Sequence, residues 1–157
     1  MRFFLDTEFI EDGRTIDLLS IGIVAEDGRE LYCEFDVDWR RANEWVAKHV
    51  LPSLTEKTFT TRERAAREIV KFIGAERPEF WGYYADYDWV ALCQLFGRMV
   101  DLPSGWPMYC RDLKQWCDFL GNPKLPSQTS TEHHALADAR WNRDIYGFLQ
   151  GIAEAKP

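Results

Sequence analysis

The 157 residues, 46% of them hydrophobic, suit one domain with a full apolar core, and seven Trp, ten Phe and six Tyr make that core aromatic. The net charge of −7 argues against a chain that grips duplex nucleic acid through many phosphates, since such proteins are ordinarily basic. No apolar run approaches the ~20 residues of a membrane span. MRFFLDTEF turns acidic too soon for a secretory leader, and Cys33, Cys93, Cys110 and Cys117 form no CxxC pair or zinc-like set, so reduced thiols and a cytoplasmic location are expected.

Arg2 to Phe9 reads as a strand entering a buried sheet. Ile16 to Ala25 (IDLLSIGIVA) is a second β-branched run, closed by the turn signal Glu26-Asp27-Gly28. Glu30 to Asp38 alternates as a third strand, so the first quarter predicts an antiparallel meander. The pattern turns helical from about Arg41 to Leu54 and again from Thr61 to Ala75, where Ala65, Ile69, Phe72 and Ile73 make an apolar stripe. Phe80 to Ala85 (FWGYYA) is strand-like and Asp88 to Val100 helical. A brief strand near Pro107 to Cys110 leads to Asp112, an N-cap for a helix ending at Leu120. Gly121 to Glu132, rich in Pro, Ser and Thr, predicts a mobile loop suited to act as a lid, and the last helix runs from about His134 to Ala153. With no repeat or linker to divide it, residues 1–157 read as a single α/β domain: a mixed sheet flanked by helices.

Three places carry chemistry. Asp6 and Glu8 are two apart on a strand, so both carboxylates point to one face. They interrupt a run otherwise fit for a sheet interior, where two like charges are costly unless exposed or neutralised by a hard divalent cation. Asp88 lies at a strand-to-helix junction, with Asp86 as its competitor. Downstream, His133 and Asp138 are five apart, a rotation of about 140° on a continuous helix. They share a site only if His133 lies on the incoming loop, whereas His134 fits one helix face with Asp138. Hydrolysis of a phosphodiester by two metal ions needs several carboxylates around cations ~4 Å apart and a base that titrates near neutrality. This inventory occurs in the order DxE, Asp, HxxxxD.

On these motifs the chain resembles the DEDD exonucleases of the histidine subtype (DEDDh), which include oligoribonuclease and ribonuclease T. The likeness runs from Phe3 to Tyr146. Asp6-Thr7-Glu8-Phe9 matches the first family motif. Gly82-Tyr83-Tyr84-Ala85-Asp86-Tyr87-Asp88 resembles the second and selects Asp88. His133-x-Ala135-Leu136-x-Asp138-Ala139 matches the third and selects His133. The compact form looks most like small actinobacterial 3′-5′ exoribonucleases, some labelled polyadenylate-specific.

The resemblance implies an RNase H-like mixed sheet, an antiparallel meander followed by parallel strands. It implies two Mg²⁺ or Mn²⁺ ions held by Asp6, Glu8, Asp88 and Asp138, with His133 as general base. Asp6 would bridge the ions, Glu8 and Asp138 would complete the water-side site, and Asp88 would hold the second ion mainly through solvent. It also implies release of nucleoside 5′-monophosphates from single-stranded or short RNA 3′ ends, and a homodimer. Tyr83-Tyr84 stands where many members carry His-Asn, so the pocket wall differs. Phe9 resembles a position that packs on the terminal nucleotide, with Trp45 and Tyr83 as further aromatic candidates for substrate contact. The competing readings are a DNA exonuclease of proofreading or repair type and a catalytically idle nucleotide-binding module.

Overall fold

The β-branched and aromatic runs that open the chain do form a meander. In the computed structural model, which describes residues 1–55, 59–75, 77–128 and 132–155, β1 (Arg2–Glu11), β2 (Ile16–Ala25) and β3 (Glu30–Phe35) pair antiparallel in succession. Gly28, at φ 90°, makes the β2–β3 turn that a side chain would strain. After β3 come α1 (Glu44–His49), β4 (Phe59–Thr60), α2 (Arg62–Ile73), β5 (Glu79–Gly82), α3 (Asp86–Phe96), β6 (Arg111–Asp112), α4 (Leu113–Phe119) and α5 (Ala135–Ala155). β4, β5 and β6 all join parallel, giving one six-stranded sheet in the order β4-β3-β2-β1-β5-β6.

The period-2 alternation of β1 divides the molecule into layers. Phe3 and Leu5 point to one face, where they are buried with Ala65, Ile69 and Ile73 of α2 and Ala91, Leu92 and Leu95 of α3. Phe4 points the other way, with its ring 5.3 Å from Tyr146 of α5. Ile145 and Leu149 of α5 bury Leu113 and Cys117 of α4 in a second cluster. Among the described residues no helix is long and apolar enough to cross a membrane.

Several boundaries differ from expectation for local reasons. The helix expected from Arg41 to Leu54 is three short pieces: a 3-10 turn at Trp39–Arg41, α1, and a second 3-10 turn at Leu51–Ser53. Asn43 caps α1 by accepting from the Val46 amide, and Pro52 bars a continuous helix through its own position. The third strand stops at Phe35 instead of Asp38. The helix expected to reach Val100 ends at Phe96, because Gly97 turns at φ 111°. The strand expected at Pro107 to Cys110 is instead Arg111–Asp112, where pairing with Trp81 and Gly82 begins. Residues 129–131 of the expected Gly121–Glu132 lid lie outside the described residues. Before them, Trp141 Nε1 donates to the Pro126 carbonyl at 3.0 Å.

Candidate active site

β1 and β5 pair only from Arg2 to Phe4, whereas β1 continues to Glu11. Beyond Phe4 the β5-side edge of β1 is therefore open, and crevices where neighbouring strands part are where α/β sheets place ligands. Side chains take up the exposed backbone groups. Asn142 Nδ2 of α5 donates to the Leu5 carbonyl at 2.9 Å, and Asp88 Oδ1 of α3 accepts from both the Thr7 amide (2.9 Å) and the Thr7 hydroxyl (2.5 Å). Asp88 thus does not cap its own helix but closes the sheet edge. Asp6 and Glu8 lie on the same overhang, on the α5 face, and a β-bulge follows immediately between Glu8 and Phe9.

The start of α5 is brought onto this overhang by Gly22, which pairs with Asp6 across the sheet. A Cβ on Gly22 would lie 2.4 Å from the Ala135 carbonyl oxygen and the Leu136 nitrogen, so only glycine lets the helix backbone come this close. α5 begins at Ala135, which leaves His133 on the incoming chain at φ 61° and Asp138 inside the first turn. The His133 amide donates to Asp138 Oδ2 at 3.1 Å, and Gln128 Nε2 donates to Oδ1 at 2.5 Å. Ligand atoms of Glu8, His133 and Asp138 lie within 4.8 Å of one another. His134 points elsewhere: its ring stacks on Tyr32 at 4.7 Å, and its Nδ1 accepts from the Ala137 amide.

This arrangement is electrostatically costly. Burial, then the charges of Asp88, Asp138 and Glu8, hold the Asp6 carboxyl well above the ordinary carboxylate range. Burial, then the charges of Asp138 and Asp88 and a hydrogen bond with Asp138, push Glu8 up to about 8. Asp88 is raised to about 7 by burial, with the Thr7 bonds opposing and the charges of Asp112 and Asp138 adding. Asp138 is raised by burial against its hydrogen bonds and the His133 charge. Among the described residues no Lys or Arg forms an ion pair with any of the four. Crowded carboxylates without a basic partner are the donor set of a hard divalent cation, so the residues fit Mg²⁺ or Mn²⁺.

A cavity of about 460 Å³ opens over two of the four carboxylates, Asp6 and Asp138, with His133 beside them and Tyr83, Trp141 and Leu125 as walls. Tyr83 packs edge-on against Trp141 at 5.2 Å and against Tyr84 at 4.7 Å. Trp45, half exposed, packs edge-on against the His133 ring at 4.8 Å, so it touches the histidine directly. Ser53 Oγ donates to the His133 carbonyl at 2.6 Å. Phe9 packs edge-on against exposed Tyr87 at 5.7 Å. The sequence reading missed Thr7, Gly22, Gln128, Trp141 and Asn142. Two of these had a signal: a lone glycine inside an apolar strand marks a close approach, and Asn142 stands four residues after Asp138 on the same helix face.

The model of the 3′-5′ exoribonuclease Rv2179c-like domain family matches residues 1–150. The chain belongs to this family. It is 45% identical over 149 residues to two proteins of Mycobacterium tuberculosis, the 3′-5′ exoribonuclease Rv2179c of strain H37Rv and the 3′-5′ exoribonuclease MT2234.1 of strain CDC 1551, covering 89% of this chain and 88% of each relative. Among solved structures, S. pombe Pop2p in its Mg²⁺- and Mn²⁺-bound form matches with a TM-score of 0.61 at 12% identity, over 96% of this chain and 82% of Pop2p. The structure of the yeast NOT1 MIF4G domain co-crystallized with CAF1 matches with a TM-score of 0.51 at 13% identity, over 95% of this chain and 80% of that one. These two likenesses bear on the fold, an RNase H-like mixed sheet flanked by helices.

Proposed function

We propose that this member of the exoribonuclease family is a DEDDh-type, metal-dependent enzyme that removes nucleoside 5′-monophosphates from the 3′ ends of single-stranded or short RNA. The observation that carries the reading is the meeting of four carboxylates from β1, α3 and α5 on the β1 overhang, without a basic partner and beside His133. Asp6, on whose carboxyl the charges of Asp88, Asp138 and Glu8 all act, would hold the Mg²⁺ or Mn²⁺ ions together with those three residues. Bound there, the ions would neutralise the scissile phosphate, orient the attacking water and stabilise the leaving 3′ oxygen.

His133 is the group that takes the proton from that water. Its backbone is tied to Asp138 and Ser53, and Trp45 flanks its ring, so the imidazole is held without being buried in the helix. The cavity has the volume of a small-ligand site, with Tyr83 as a face for a base or sugar. Phe9, beside Tyr87, offers a second aromatic surface on the other side of β1. The net charge of −7 suits an enzyme that grips the end of a strand through cations and stacking, with few phosphate contacts along its length. One catalytic domain over residues 1–157, a cytoplasmic location and a homodimer are part of this proposal; light scattering coupled to size exclusion tests the dimer.

The deciding experiment is digestion of a 5′-labelled RNA oligonucleotide and its DNA counterpart with Mg²⁺, Mn²⁺ or chelator, with product analysis. The expected result is stepwise shortening of the RNA from its 3′ end, release of mononucleotides, and arrest by chelator. Equal or faster digestion of DNA overturns the ribonuclease assignment. Absence of turnover with either metal overturns the enzymatic reading in favour of an idle nucleotide-binding module.

A further inference from the structure

We propose that Asp112 is a positioning residue for the second cation: it anchors the turn between β5 and α3, and so sets how tightly the ion facing Asp88 is held. The inference rests on the two-metal reading above. Asp112 divides its carboxylate between two backbone amides. Oδ1 accepts from Gln115 N at 2.8 Å, which caps α4, and Oδ2 accepts from Ala85 N at 2.8 Å, the residue immediately before α3. Capping alone requires one oxygen, and Ser, Thr or Asn would supply it as well. The second oxygen is spent on the element that carries Asp88.

That element needs an anchor. α3 has no side-chain cap of its own, and the turn leading into it holds Tyr84 at φ 56°, a left-handed conformation that a non-glycine residue adopts at a cost. Gly82 closes the turn so tightly that a Cβ there would lie 2.8 Å from the Ala85 Cβ. β6 is only Arg111–Asp112, paired with Trp81 and Gly82, and this short pairing delivers Asp112 to the turn. Asp88 is consequently fixed from two directions, by Thr7 at one of its own oxygens and by Asp112 through the backbone three residues before it.

Asp112→Asn breaks one of the two bonds. An amide offers one acceptor and an NH₂ group, so it serves only one of the two amides and turns a donor toward the other. Asp112→Ser keeps a capping oxygen and has no second acceptor, and it serves as the companion variant should the Asn protein fold poorly. The probe is Mn²⁺ titrated into the purified protein, with free ion read by electron paramagnetic resonance, alongside thermal melting and the Mn²⁺ dependence of RNA digestion. Asp88→Asn is the benchmark.

The expected result is one Mn²⁺ bound about 10–100-fold more weakly in both Asp112 variants, with the other ion unaffected. The half-maximal Mn²⁺ for digestion rises in parallel, and turnover at saturating Mn²⁺ recovers to within a few-fold. A lower melting temperature with an unchanged Mn²⁺ titration overturns the proposal and leaves Asp112 a helix cap. If Asp88→Asn also binds two Mn²⁺ normally, the metal-site reading itself has failed.

Discussion

Asp138 receives a hydrogen bond on each oxygen, from Gln128 on Oδ1 and from the His133 amide on Oδ2, so its carboxylate is held in place beside Glu8. This makes Asp138→Asn and His133→Ala informative together. The asparagine removes a ligand charge while preserving shape, and should lower both Mn²⁺ affinity and turnover by more than about 100-fold, above the usual loss from a residue that only supports a ligand. The alanine should lower single-turnover rate by about 10²–10⁴-fold while Mn²⁺ binding stays within a few-fold of the parent. Equal loss of Mn²⁺ binding in both would recast His133 as a ligand, which its closeness to Glu8 and Asp138 permits geometrically. At this scale the sequence was legible where residue spacing carries the information, as for Asp6 with Glu8 on one strand. It was silent on Thr7, on Gln128 and on the second bond of Asp112, whose capping role alone was legible, because a hydrogen-bond partner 81, 10 or 27 residues away is chosen by tertiary juxtaposition.

α5 is the element on which the site depends most, and its position against the sheet is set by Gly22. Gly22→Ala would place a methyl group against helix backbone, which cannot swing aside as a flexible side chain does. The start of α5 must therefore shift, and Asp138 and His133 move with it relative to Asp6. Overpacking of this kind costs about 1–3 kcal/mol, and a misplacement near 1 Å costs on the order of 100-fold in rate. The expected variant is folded, melts several degrees lower and digests RNA about 100-fold more slowly. Parent-like turnover would show that α5 needs no such close approach. The same reasoning explains which elements were readable. Long periodic runs such as Ile16–Ala25 and Arg62–Ile73 carried their own signal. β4 and β6 have two residues each and exist only because a neighbouring strand is there to pair with, so no local pattern announced β4, and β6 was expected a few residues too early.

Across the whole molecule the four raised carboxylates make metal-free stability a function of pH. Glu8 is raised from an ordinary 4.5 to about 8 and Asp88 from 3.8 to about 7, and Asp6 and Asp138 shift the same way. Below the unfolded-state values all four are protonated in both states, and burial carries no charge penalty. As pH rises from about 4.5 toward 8, the unfolded chain releases these protons while the folded chain must keep them or bury the charges, so stability is lost across that window. The surface carboxylates lowered by hydrogen bonds and arginines, such as Asp12, Asp27 and Asp38, act in the opposite direction and only below the ordinary carboxylate range. In chelator the melting temperature should therefore fall by on the order of 10 °C between pH 5 and about 8. Saturating Mn²⁺ replaces the protons with cations and binds only the folded state, so the fall should shrink and the stabilisation by Mn²⁺ should grow with pH. Melts at matched pH with chelator or Mn²⁺ measure both curves. Parallel curves across the window would mean that the ions do not engage these carboxylates.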